Sequence, residues 1–407
     1  MEFTRFLKNN ARWLAAGALL TLVSSFGQTF FISIFAGQIR EEFGLSNGAW
    51  GGIYSLATAA SAIVMVWAGG LSDHLRVRQL GALIMAGTVL AALAMAFASS
   101  VWALVLVVFA LRFCGQGMST HLATVAMARW FVATRGMALA IASLGFALGE
   151  AFLPVITVAL MGVVYWRLLW GGAALIVLLL IPLLVHLLKQ ERTPATIANE
   201  TPSTGMAGRH WTRRDLLGHW LFWMMVPALL APPAFVTALF FQQVHLAAVK
   251  GWSHTALVAL IPIYTATGVA AALVFGWMID RFGSIRLMPF YQAPLALGFV
   301  LFSLAQTPLG GGVAMAVMAV TQGGQSTLSS AFWAEIYGTR HLGGIKALAA
   351  GVMVLGSAIG PALTGVLIDA GVNFDVQMLW ISGYILAASG LVLFAVGRAR
   401  RALSPPL

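Results

Sequence analysis

Charge is scarce in this chain. Asp, Glu, Lys and Arg together supply 9% of 407 residues, and only 12 residues are acidic. That polar complement is too small to cover a water-soluble globule of 43.2 kDa. Cysteine is nearly absent: Cys114 stands alone, which excludes an intramolecular disulfide and a Cys-based zinc site. There is no His-Glu-x-x-His, no phosphate-cradling Gly-x4-Gly-Lys and no Cys cluster. A metal hydrolase or an ATP-driven machine therefore lacks its parts, no cofactor or metal is called for, and the chain does not read as an enzyme. Alternating apolar and polar residues in ten-residue strands are also missing, which excludes a membrane β-barrel.

What is present is apolar length. Hydrophobic residues make up 60% of the chain, gathered in twelve continuous stretches near the ~20 residues that cross a bilayer as helix. They lie at 13–37, 49–69, 80–98, 102–127, 137–161 and 168–188, then at 219–244, 255–275, 287–306, 311–333, 347–368 and 377–397. With no water in hydrocarbon to satisfy backbone groups, such runs must be helices. The sequence predicts an all-α membrane protein of twelve transmembrane helices in two pseudo-symmetric six-helix bundles. The first run exceeds a signal-peptide core and has no clear cleavage site, so it is expected to stay as a span.

Basic residues fix the orientation. Of the 23 Lys and Arg residues, all but Arg40, Arg167, Lys250 and Arg112 fall at the termini or in alternate connections. The positive-inside rule then places both termini in the cytoplasm of a cell (inner) membrane protein. The net charge of +11 is spread over seven cytoplasmic patches facing anionic lipid, not drawn into one stripe, so nucleic acid is excluded as a partner.

The chain divides at its middle. Residues 193–208 are rich in Thr, Pro, Ala, Asn, Ser and Gly, a composition that cannot bury enough apolar surface to fold. The expected organisation is an N-terminal bundle at 1–188, a cytoplasmic linker at 189–218 and a C-terminal bundle at 219–407. The halves echo each other. Gly69-Gly-Leu-Ser-Asp73-His-Leu-Arg76-Val-Arg78 answers Gly276-Trp-Met-Ile-Asp280-Arg281-Phe-Gly283-Ser-Ile-Arg286 at an offset of 207 residues (280 − 73). Gln116-Gly-Met-Ser-Thr120 answers Gln322-Gly-Gly-Gln-Ser326, and the turns after them match as well.

On these residues the chain resembles the major facilitator superfamily, with its two six-helix bundles and its Gly-x-Leu-x-Asp-(Arg/Lys)-x-Gly-(Arg/Lys) turn between the second and third helices. Arg129-Trp-Phe with Arg135-Gly136, Phe240-Phe-Gln-Gln-Val-His245, and Tyr337-Gly-Thr-Arg-His-Leu-Gly-Gly344 leading to Gly356-Ser-Ala-Ile-Gly-Pro361 are similar to the bacterial monocarboxylate and oxalate/formate branch. That branch places a cation in the eighth helix, where 255–275 has none. Efflux members carry a proline on the fifth helix where Glu150 stands. The resemblance implies a secondary transporter working by alternating access and able to function as a monomer.

Two ionisable groups lie inside predicted spans, and each costs about 2.5–3.5 kcal/mol to place there, so both are candidates for function. Arg112 is ten residues into the fourth span and Glu150 eleven residues from the end of the fifth, both about 15 Å from the outer surface. They are expected to pair or to share a water-filled cavity. In the functional reading, Glu150 takes and releases a proton while Arg112 binds an anionic substrate; in the bland one, they form a permanent ion pair. Gln116, Gln28, Tyr264, Gln322 and Gln325 are candidate substrate donors, each weighed against simple interhelical hydrogen bonding. His121 is a weaker proton carrier, near the cytoplasmic end and turned away from Arg112. Asp73 with Arg78 and Asp280 with Arg281 are candidate cytoplasmic gate residues, the bland alternative being turn stabilisation. The expected cargo is a small organic anion, with protons as the coupling partner. Export of amphipathic or aromatic compounds, and a channel or transporter-derived receptor, are the competing readings.

Overall fold

The computed structural model describes residues 2–131, 134–190, 205–338 and 340–399. Arg192, Arg400 and Arg401 of the basic pattern, and the side chain of Asp73, lie outside the described residues. Every element among the described residues is helical, the one solution open to a chain whose backbone groups must be satisfied within each span. The principal helices are α1 (Glu2–Ser24), α2 (Asn47–Ala68), α3 (Val77–Phe97), α4 (Val101–Trp130), α5 (Arg135–Met161) and α6 (Trp166–Leu187). They are followed by α7 (Trp220–Phe241), α8 (Ile261–Phe282), α9 (Ala293–Leu304), α10 (Pro308–Tyr337), α11 (Leu342–Asp369) and α12 (Phe374–Ala399). Side chains set several starts: Ser46, Ser100 and Thr307 accept the N–H groups of Ala49, Ala103 and Gly310.

Each of the twelve apolar stretches coincides with one of these helices, but length and hydropathy alone qualify nine among the described residues as spans. A tenth is added if Thr4–Gly27 and Thr29–Phe43, bent by 45°, count as one. The remaining two fall short for visible reasons. The 287–306 stretch is irregular until Ala293, where Pro294 opens a helix of 12 residues. Within α10 the run from Gln322 to Thr327 interrupts the apolar sequence.

The chain forms two compact units, Met1–Asn199 and Glu200–Leu407. In the first, α1 packs along α5 and α3 along α6. The α1–α5 approach is close because a Cβ on Gly145 would lie 1.9 Å from the Ala18 carbonyl oxygen, and one on Gly149 2.0 Å from Ser25 Oγ. In the second unit α7 packs along α11 the same way: a Cβ on Gly360 would lie 2.1 Å from the Ala234 carbonyl oxygen. Small residues are what let helix backbones meet where lipid supplies no hydrophobic drive.

One end of each unit is tied by a charge. Arg167, at the start of α6, donates to Glu42 at 2.5 Å and to the carbonyls of Ala96 and Ala98 at the end of α3, at 3.0 and 2.6 Å. Lys250, at the end of a short helix after α7, donates to the Ser303 carbonyl of α9 at 2.5 Å and stands 4.0 Å from Asp375 at the start of α12. Both acid–base positions recur at an offset of 208 (250 − 42 and 375 − 167) with the signs exchanged. In both units the cation finishes on carbonyls at a helix C-terminus, where the dipole favours it.

The segment assigned to the linker is partly built into the second unit. From Gly205 the chain is folded: Met206, Trp211 and Leu216 are buried in a cluster with Phe222, Trp333 and Tyr337. Thr212 and Asp215 form a reciprocal cap on Arg213–Leu217. The Thr212 hydroxyl and backbone N–H, with Arg209 and Arg214 nearby, hold the Asp215 carboxyl below its ordinary pKa.

Candidate substrate and proton site

Helix α1 does not run through. It ends at Ser24, passes through a tight turn at Ser25–Gly27, and at Gln28 takes an extended conformation (φ −82°, ψ 156°) before helix resumes at Thr29. No proline causes this; a neighbouring backbone does. A Cβ on Gly27 would lie 2.1 Å from the Leu111 carbonyl oxygen and 2.5 Å from the Gln116 nitrogen, so the turn is pressed directly onto α4. There α4 itself opens into a π-helix over Leu111–Ser119. Such segments widen a helix, leave its register irregular and recur at functional sites.

Arg112 sits in that π segment, 2% exposed. Its Nη1 donates to the Gly27 carbonyl at 3.2 Å, and its guanidinium lies 5.2 Å from the centre of the Tyr54 ring, a cation–π contact. The Nε has no hydrogen-bond partner among the described residues. Tyr54, fully buried on α2, is held by a 2.5 Å hydrogen bond with the Thr29 hydroxyl just past the break. Glu150, 6% exposed, follows Gly149, whose missing Cβ would strike Ser25 Oγ of the same turn. The break in α1 is thus flanked by Arg112 from α4 and Glu150 from α5. Gln28 and Gln116 belong to the same junction through their backbones. The sequence expected Arg112 and Glu150 to face each other; Arg112 reaches this turn of α1 with its guanidinium, Glu150 is next in the chain to Gly149 beside it, and the described partners of Arg112 are a carbonyl and an aromatic ring. Tyr54 and Thr29 escaped sequence reasoning, because nothing in composition distinguishes them from ordinary packing residues.

His121 lies further along α4. Its Nε2 is 3.1 Å from the Gly69 carbonyl oxygen and 3.3 Å from the Ser72 hydroxyl, while Arg129 donates to the Ser72 carbonyl at 3.0 Å. Two α4 side chains therefore hold the turn between α2 and α3, away from Arg112. Arg78 is half-buried in the first turn of α3.

In the second unit Gln322 and Gln325 line a recess of about 370 Å³ with Pro232, Pro233, Val236 and Thr237 of α7 and Met353 of α11. Two glutamines and a threonine in a wall of proline, valine and methionine can fix the orientation of a small polar ligand. Tyr264 is not among the recess residues; it is 1% exposed, with its ring edge-on to Phe240 at 5.4 Å. Asp280 and Arg281 are exposed, and the guanidinium of Arg281 lies over Trp277 and Phe282. The carboxylate that grips this turn is Glu335, which accepts from the Ser284 N–H at 3.2 Å and from its hydroxyl. Among the described residues no group of three His, Cys, Asp or Glu could hold a metal ion.

Among the described residues the chain is thus all-helical, with a broken first helix, a buried arginine on the fourth and close small-residue contacts in both units. The sequence profile of the Major Facilitator Superfamily matches residues 17–320 and 245–406, and the chain belongs to that family of transporters. It is similar to monocarboxylate transporter 13 of Bos taurus, with 26% identity over 322 residues, covering 76% of this chain and 72% of the relative. Among solved structures, a bacterial homologue of the human lysosomal transporter Spinster superposes with a TM-score of 0.71 at 16% identity, covering 98% of this chain and 99% of the other. The nucleoside transporter NupG superposes at 0.66 and 14% identity, covering 96% and 99%. At such identities these two structures show the shared fold.

Proposed function

We propose that this protein is a proton-coupled secondary transporter that moves a small organic anion, a carboxylate, across the cell membrane by alternating access. Arg112 binds the anion, Glu150 carries the proton, and both termini face the cytoplasm. The observation that carries the reading is Arg112 itself. A guanidinium enclosed in a bilayer-embedded unit is costly unless its donors are used, yet here it is held by one backbone carbonyl and one ring, with Nε to spare. Such a group is suited to accept a carboxylate with a planar pair of N–H donors. Glu150, at the same turn of α1, supports coupling: neutral when protonated, it leaves Arg112 to the substrate; ionised, it competes through the field it exerts there. The Gln322 and Gln325 recess supports a second set of contacts in the other unit. The monocarboxylate-type motifs, and the similarity to a relative with that name, support a carboxylate as cargo.

The test uses the full chain in proteoliposomes, with labelled small carboxylates and an imposed pH gradient. Arg112→Gln should lower carboxylate affinity by roughly tenfold to a hundredfold, the equivalent of one or two charge-assisted hydrogen bonds. Glu150→Gln should still bind carboxylate but lose its response to the gradient. Gradient-driven uptake that is unchanged in Glu150→Gln refutes the proton role. Carboxylate flux without counterflow exchange would mark a channel, and dye extrusion without carboxylate uptake an exporter.

A further inference from the structure

The second unit has a second cavity, on its exposed flank. It measures about 450 Å³ and lies between α8, the approach to α9, and α10. Its wall is almost wholly apolar, with Ala270, Val274, Phe275, Phe290 and Val320 among the lining residues. The mouth is open: Val274 is 53% and Phe290 60% exposed. In a bilayer such an opening meets hydrocarbon, not water. We infer that the cavity holds one acyl chain of an anionic phospholipid whose headgroup rests on Arg281 and Arg286.

The chemistry at one end of the cavity selects the headgroup. Met278 and Leu287 line that end, and Arg281 and Arg286 stand three residues and one residue away from them in sequence. Arg281 lies 5.8 Å from the Trp277 ring and 5.9 Å from the Phe282 ring, and both rings are exposed. Exposed aromatics beside a cation are the signature of the headgroup level. Arg286 is exposed, and among the described residues neither arginine is paired with a carboxylate. Of the neighbouring acids, Asp280 and Glu335 are both exposed; Glu335 accepts from the Ser284 N–H and hydroxyl, and among the described residues neither forms an ion pair with the two arginines. Two guanidinium groups without a carboxylate partner are left to meet an anionic headgroup, each worth about 1 kcal/mol.

The cavity also shares a wall with the glutamine recess. A Cβ on Gly324 would lie 2.8 Å from the Phe275 ring, so the Phe275 side chain of α8 packs directly on the α10 backbone. Phe275 and Val320 line the apolar cavity, whereas Gln322 and Gln325 line the polar recess. A chain seated against Phe275 therefore bears on the helix that carries both glutamines.

Native mass spectrometry of the purified full-length protein tests this, with phosphatidylglycerol and phosphatidylcholine supplied separately. A phosphatidylglycerol with a photoreactive acyl chain then maps the contact. The expected result is preferential retention of phosphatidylglycerol, with crosslinks confined to 267–294 and 320. Arg286→Ala should cut that retention about fivefold and leave phosphatidylcholine unchanged. Ala270→Phe, which fills the mouth, should abolish the crosslinks, and Val274→Phe does the same should the first variant fold poorly. Equal retention of the two lipids, or crosslinks that persist in both filled variants, overturns the inference. Each outcome reads binding and does not depend on the cargo.

Discussion

Exchanging the charges of Glu42 and Arg167 should cost less than the sum of changing each alone. In the wild-type first unit Arg167, with 15% of its side chain exposed, serves Glu42 and the carbonyls that end α3. Arg167→Ala strands those carbonyls and one carboxylate. The carbonyls, bonded to a half-buried charged donor, set most of the loss. Glu42 is 37% exposed, so its share is only the ~0–1 kcal/mol of a surface pair. The total is about 2–4 kcal/mol, or a fall of roughly 5–10 °C in Tm for a unit of this size. Glu42→Lys alone sets two cations together and should lose at least as much. The double variant Glu42→Lys with Arg167→Asp reproduces the arrangement of Lys250 and Asp375, in which the cation comes from the end of the first helix and still reaches the carbonyls of the third. It should recover about 1–2 kcal/mol relative to the sum of the single changes. The assay is thermal denaturation of the full chain in detergent, followed by circular dichroism. Additive losses would refute the claim that the two units solve one problem with opposite signs.

Gly149→Ala and Gly145→Ala should each lower stability by about 1–3 kcal/mol, since the new methyl meets Ser25 or Ala18 on α1. Gly171→Ala, with nothing within 4 Å of its Cβ position, is the matched control, and comparable losses at all three sites would dismiss the packing argument. His121→Ala should leave the unfolding free energy within about 1 kcal/mol of wild type but speed hydrogen exchange at 69–76. Unaltered exchange there would show that His121 does not secure the turn.

The helical character of the fold was legible because lipid leaves a chain few options: continuous apolar runs had to be helices. Single-helix periodicity could not disclose what tertiary contact imposes. The break at Ser25–Gln28 has no proline, and its short run of Ser24, Ser25, Gly27, Gln28 and Thr29 does not by itself stop a helix; the break exists because Gly27 meets Gly115 and Leu111 of another helix. The π segment at Leu111–Ser119 is invisible for the same reason. The late start of α9 at Ala293 was signalled by Pro294, and the capped turn at Arg213–Leu217 by Thr212 and Asp215, but the bland composition just before them masked the second. At the candidate site, depth counting brought Arg112 and Glu150 to one level. It missed Tyr54, because a buried tyrosine on an apolar helix looks like filler until a guanidinium is found above it.

The Gly27 carbonyl is, in effect, an internal ligand. It uses one N–H of the guanidinium and leaves Nε over, so the anion capture proposed for Arg112 need not strip that peptide oxygen of its partner. If the cargo did take that donor, the exchange would subtract about what one such bond contributes, some 1–3 kcal/mol. Without any ligand, the carbonyl dipole still gives the enclosed cation one fixed partner.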